Sequence, residues 1–288
     1  MRPLEQQSVS AHPPLLNIRW LIRIGGVIYP IAFEQLLPRV GFGWATRVLG
    51  FITLLELVIA LIIILPPLEA VRSSTKKPPN EEHVPGWSLA KVAIKEPVFA
   101  AYSLALFFMW IAFWVPFFFI PSFGQHKVGA SPSMSFYLLV ITNGSTIPGR
   151  LMAVFISQRF GICSTLLVFT VISAILLFAW AAIETLAALV AWCVLLGLFI
   201  APLAVLVPAM VPQLCPRKEV VGARMGVAWT AAALGVLLGA PVSSSLNDLE
   251  SGTFWKSQVL VGTCMAVGAG LLSFVWWELQ RQKKAILN

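Results

Sequence analysis

"SMSFYLLVITNGSTIPGRLMAVFISQRFG", residues 133–161, is apolar for most of its length, yet it carries Arg150 inside the run and Arg159 near its end. In a helix rising 1.5 Å per residue, the spacing between the two arginines corresponds to about 13 Å. With Arg159 at the membrane surface, Arg150 lies close to the middle of a hydrocarbon core about 30 Å thick. An arginine there costs at least about 2.5 to 3.5 kcal/mol on insertion scales, so Arg150 is expected to face the bundle interior and a partner. Its planar fork suits a carboxylate held by two parallel hydrogen bonds. Two other readings stay open: snorkelling to the inner headgroups, or bonding to backbone carbonyls freed by Pro148. Asn143, Gly144, Ser145, Thr146 and Gly149 add a polar, small-residue stripe that suits either cavity lining or close helix packing.

The rest of the chain has the same character. Of 288 residues, 58% are hydrophobic and 11% charged, and the mean hydropathy is +0.86. Soluble domains run at roughly 45–50% apolar and 25% charged, so the composition predicts an all-α integral membrane protein. The net charge of +8 does not imply nucleic acid. The basic residues form short clusters between apolar runs, as expected of loops that follow the positive-inside rule. Cys163, Cys193, Cys215 and Cys264 are scattered, with no C-x-x-C and no histidine at ligand spacing, which predicts neither disulfide nor metal. The N-terminus shows no signal-peptide pattern.

Six apolar runs after residue 97 predict spanning helices at about 98–121, 134–157, 162–183, 186–212, 220–245 and 257–278. Residues 48–65 predict a seventh, interrupted only by Glu56, and 22–37 a weaker eighth. The organisation expected is an unmatched segment at 1–20, two helices in 21–65, a polar cytoplasmic linker at 66–96, six helices in 97–280 and a cytoplasmic tail at 281–288. Within the linker, "WSLAKVAIK" predicts a short interfacial helix. The linker, the turns at 158–161 and 213–219 and the tail hold most of the basic residues. The opposite turns after residue 97 carry only Lys127 and Lys256, which places the C-terminus inside. Arg39 and Arg47 run against this pattern.

Glu56 is the other charge within an apolar run; a neutral carboxylic acid, a helix-interface bond and a proton relay are all open to it. Gly226, Gly235, Gly239 and Pro241 lie in "GVAWTAAALGVLLGAP", whose small-residue spacing predicts close packing and permits sliding. The aromatic residues from Phe107 to Phe119 read as mostly lipid-facing or belt residues. There is no G-x-S-x-G and no H-E-x-x-H, and His12, His83 and His126 lie in polar termini or loops, so no enzyme chemistry is expected and no cofactor is implied.

The 133–161 pattern resembles the eighth helix and following loop of the monocarboxylate-transporter-like branch of the major facilitator superfamily, particularly its fungal members. Three further stretches are similar to the same branch: "GGVIYPIAFEQLLPRVGFGWATRVLGF" at 25–51 to the fifth helix and its basic turn, "GARMG" at 222–226 to the start of the eleventh, and "GAPVSSSL" at 239–246 to its later part. The resemblance implies a major-facilitator-type bundle of about eight helices, corresponding to helices five to twelve of a twelve-helix fold and N-terminally truncated. It accounts for Arg39 and Arg47 in an outward turn. It also implies a substrate pathway with Arg150, Asn143 and Thr146, a conformational loop with Gly149, Arg159 and Gly161, and movement of a small organic anion, with or without a proton. Thr146 stands where animal members carry an acidic residue, and Gln158 where the family loop carries aspartate. Because such transporters rock two six-helix halves about a central site, transport by this chain would call for a partner supplying the missing helices. The alternatives are a non-transporting half-unit bound to another membrane protein, or an incomplete gene model.

Overall fold

The computed structural model describes residues 16–74, 86–215, 217, 220–248 and 252–287. It divides into two compact units at Leu54/Leu55. The first unit is helical backbone belonging to α1 (Leu16–Ser74), whose regular geometry breaks at Gly41 with φ 73° and ψ 167°. A left-handed φ favours glycine because it carries no Cβ. The expected turn between two helices thus contracts to a single non-helical residue. Around it, Thr46 donates to the Phe42 carbonyl at 3.0 Å, and Arg47 sits over the Trp44 ring, 5.2 Å from its centroid. Of the expected unmatched segment at 1–20 and linker at 66–96, residues 1–15 and 75–85 lie outside the described residues.

Among the described residues the second unit holds the rest of α1 and eight further α-helices: α2 (Gly86–Lys95), α3 (Pro97–Phe113), α4 (Val115–His126), α5 (Pro132–Phe160), α6 (Ile162–Ala179), α7 (Leu186–Met210), α8 (Val221–Leu246) and α9 (Trp255–Leu287). The described residues contain no strand, only an isolated bridge between Asp248 and Thr253. Seven helices among the described residues are long and apolar enough to cross a membrane, counting α3 and α4 as one span. Residues 22–37 are helical but continue into α1. Two boundaries depart from the sequence expectation. The linker is helical to Ser74 and again from Gly86, and α9 runs into the predicted tail.

Local chemistry sets the helix ends. Pro97 and Pro132 occupy first-turn positions, where the missing N–H costs nothing. Ser131 caps α5 by accepting from Met134 N at 3.2 Å, and Thr185 caps α7 by accepting from Ala188 N at 3.3 Å. Gly161 ends α5 at φ 85°. The predicted helix at 98–121 is split at Trp114, because Pro116 gives no N–H to the Ala112 carbonyl and its ring crowds the preceding turn.

Helix α3 is the hub and packs against both α8 and α9; α5 packs along α7, α6 bridges α7 and α9, and α4 leans on α5. Close packing of this kind, rather than a hydrophobic drive, holds helices together in lipid. Glycines make it possible. A Cβ at Gly235 would lie 2.3 Å from the Phe107 carbonyl oxygen, and one at Gly239 2.4 Å from that of Ile111, so α8 meets α3 backbone to backbone. The α5–α7 contact is similar: a Cβ at Gly149 would sit 2.2 Å from the Leu198 oxygen, and one at Gly197 2.3 Å from the Thr142 oxygen. Tyr102 adds a buried hydrogen bond from α3 to the Val207 carbonyl of α7 at 2.8 Å. At Gly226 the structure departs from the packing expectation, since a Cβ there would meet nothing within 4 Å. Pro241 lies on the exposed side of α8.

Candidate functional site

Asn143, Thr146 and Arg150 stand at positions i, i+3 and i+7 of α5, a spacing that puts them on one stripe of the helix. Thr146 is buried, while Asn143 and Arg150 are half-buried, with the Arg150 Nε enclosed by protein. The hydroxyls and the amide turn inward on their own helix. Thr146 Oγ1 donates to the Asn143 carbonyl at 2.7 Å, Asn143 Nδ2 to the Leu139 carbonyl at 3.0 Å, and Ser145 Oγ to the Ile141 carbonyl at 2.9 Å. Such bonds let small polar residues sit at depth without an orphaned donor. Arg150 is ten residues from the end of α5 at Phe160, which is about 15 Å of helix. The backbone contact at Gly149 fixes α5 against α7 beside it.

The other predicted residues lie apart from this stripe. Arg159 and Gly161 are exposed at the α5–α6 turn, and Glu56 is exposed on α1. Among the described residues no group of His, Cys, Asp or Glu could hold a metal ion.

A second polar centre escaped the sequence reading, in which Arg224 figures only within the "GARMG" stretch at 222–226. Arg224, four residues into α8, is buried and forms an ion pair with Glu96, the residue before α3. It also donates to the Leu214 carbonyl at the end of the short 3-10 turn Val211–Leu214, and its guanidinium lies over the Phe99 ring, 5.1 Å from the centroid. One side chain thereby ties together the ends of α3, α7 and α8. A cavity of about 550 Å³ opens beside it, with Glu96, Gln213, Cys215 and Glu278 in its wall. Burial raises the Cys215 thiol above its usual range; Arg224 pulls it down and Glu96 pushes it up. The available sequence signal was an arginine just inside a helix start together with a glutamate just before another.

No family model matches the chain. Among curated relatives, the aspyridones efflux protein of Emericella nidulans is 31% identical over 258 residues, which cover 87% of this chain and 50% of the relative. An MFS-type transporter of Gibberella moniliformis is 29% identical over 253 residues, covering 88% of this chain and 58% of the relative. The chain belongs to the major facilitator superfamily. A third relative, the agnestins efflux protein of Paecilomyces divaricatus, is 27% identical over 223 residues, with 77% of this facilitator chain and 48% of the relative aligned. The facilitator chain spans about half the length of the curated relatives it matches. It is a multi-pass, all-helical membrane protein.

Proposed function

We propose that this chain forms part of a secondary transporter of the monocarboxylate-transporter type, moving a small organic anion or related solute by alternating access, with Arg150 lining the pathway. The observation that carries this reading is a half-buried guanidinium at mid-depth on α5, in line with Asn143 and Thr146. A fixed cation there lowers the cost of bringing an anion into a low-dielectric interior. The relatives named as efflux proteins support a small-molecule solute and suggest outward movement. The missing first-half helices would come from a longer version of the chain or from a partner protein.

The test is flux of a labelled short monocarboxylate across vesicles containing this chain, alone and joined to helices one to four of a relative. Flux that disappears in Arg150→Ala at equal membrane level supports the pathway. Flux unchanged in Arg150→Ala overturns the arginine's role, and flux in neither form overturns the choice of solute. Acceleration by a proton gradient, lost in Glu56→Gln, would assign the proton to Glu56.

A further inference from the structure

The cavity beside Arg224 is walled by three parts of the chain: the α2–α3 junction at Glu96, the connection from α7 to α8 at Gln213 and Cys215, and α9. On α9 the wall residues Phe274, Glu278 and Gln282 follow one another at intervals of four, which sets them on one face of the helix. At about 550 Å³ the cavity falls within the range of small-molecule sites, about 300–1,000 Å³.

Its charge runs against its surroundings. Arg217 and, on the last turns of α9, Arg281, Lys283 and Lys284 make this end of the molecule basic. Among the described residues, the charged side chains in the wall are nevertheless the carboxylates of Glu96 and Glu278. A cleft lined by one sign of charge concentrates ions of the other. The neighbouring cations leave both carboxylates room for a further partner. Arg224 pairs with Glu96 from outside the wall, its side chain 3% exposed, while that of Glu96 remains 43% exposed. Arg281 reaches Glu278 only at 3.9 Å, and its guanidinium lies over the Trp277 ring, 5.6 Å from the centroid. The Arg281 side chain is 67% exposed against 23% for Glu278, and an ion pair so long and so wet contributes little.

The rest of the wall selects the kind of cation. Among the described residues no group of His, Cys, Asp or Glu could hold a metal ion. Phe274 offers a ring face that attracts an ammonium, Leu214 and Leu279 are apolar, and the carboxamide oxygens of Gln213 and Gln282 accept hydrogen bonds. We infer that this cavity is a binding site for a small organic ammonium ion with an apolar body, its N–H groups donated to Glu278 and Glu96 and its body laid against Phe274, Leu214 and Leu279. The inference goes beyond the transporter reading and uses none of its residues, since an organic anion drawn to Arg150 is repelled by these carboxylates.

The test is equilibrium binding of labelled 2-phenylethylammonium to the purified full chain in a neutral detergent. The competitors are unlabelled 2-phenylethylammonium, 2-phenylethanol and phenylacetate, which are close in shape and differ in charge. The ammonium is expected to compete at least about tenfold better than the alcohol or the acid. Glu278→Gln should weaken binding by at least about threefold, with thermal unfolding as the folding control. Glu96→Gln, which keeps an oxygen toward Arg224, tests the other carboxylate should Glu278→Gln fail to fold. Cys215 locates the site, because it stands in the wall: N-ethylmaleimide should abolish binding to the native chain and leave binding to Cys215→Ser intact. Equal competition by the alcohol or the acid, absence of ammonium binding, or unchanged binding in the folded glutamate variants would each overturn the proposal. So would binding that survives complete modification of Cys215, or that is lost from Cys215→Ser on the same treatment.

Discussion

At the scale of single residues, the Glu96–Arg224 pair is unequal, and the inequality decides what each deletion costs. The Arg224 side chain is 3% exposed and that of Glu96 43%. Truncating arginine releases a carboxylate that water can solvate, whereas truncating glutamate leaves a buried cation with only the Leu214 carbonyl and the Phe99 ring. Glu96→Ala is therefore expected to destabilise by about 3 kcal/mol, the range for an orphaned buried charge, and Arg224→Met by about 1 kcal/mol. The double variant should resemble Arg224→Met, since the orphan is gone. Chemical unfolding in detergent checks the order; a larger loss for Arg224→Met would show that the arginine's packing outweighs its charge. Cys215 reports on the same pair independently. Arg224 lowers its thiol pKa and Glu96 raises it, so Arg224→Met pushes the pKa higher and reduces the thiolate fraction at pH 8, and Glu96→Ala does the opposite. Maleimide modification of the Cys215 peptide, followed by mass spectrometry, should slow in the first variant and quicken in the second. Faster labelling in both would mean that the helix ends had come apart.

At the scale of elements, glycine spacing carries meaning only where another backbone approaches. Gly226 and Gly239 share a helix and a residue type, yet Gly239 abuts the Ile111 carbonyl and Gly226 faces open space. Gly239→Ala is expected to force α8 away from α3 and cost about 1–3 kcal/mol, whereas Gly226→Ala should be neutral or stabilise by up to about 1 kcal/mol through helix propensity. Melting temperatures of the two purified variants test the contrast, and equal shifts would dismiss the α3–α8 contact as the cause. The same pair shows what the sequence could reveal. Apolar run length located the spans, because it acts locally. Sequence spacing could not separate Gly226 from Gly239, nor identify Gly197 against Thr142, because these contacts join residues far apart in the chain. Pro116 was readable as a breaker, but the long apolar run hid its effect. The grouping of Asn143, Thr146 and Arg150 came from the family resemblance, and the structure sets them on one helix at i, i+3 and i+7; the Glu96–Arg224 pair was not legible, since its partners are 128 residues apart.

At the scale of the molecule, the spans alternate between two ends, and the structure identifies residues at each. Glu96, Leu214 and Arg224 meet at one end. At the other, a Cβ on Gly252 would lie 3.1 Å from the His126 carbonyl, and Gln258 Nε2 reaches the Trp180 carbonyl at 3.4 Å. The first end is also the basic one, since the α5–α6 turn carries Arg159, the α7–α8 connection Arg217 and the last turns of α9 Arg281, Lys283 and Lys284; the opposite turns carry Lys127 and Lys256. Positive charge is retained on the cytoplasmic side during insertion, so the Glu96–Arg224 end is expected to face the cytoplasm together with the end of α9. A membrane-impermeant thiol reagent applied to intact cells should label Lys127→Cys, and should label Arg281→Cys only after the membrane is opened. The reverse pattern would put Lys127 and Lys256 inside and so deny that charge sets the orientation. Labelling of both in intact cells would mean two insertion topologies, in which case Arg150 would be approached from either side and the outward direction proposed for the solute would have no structural basis.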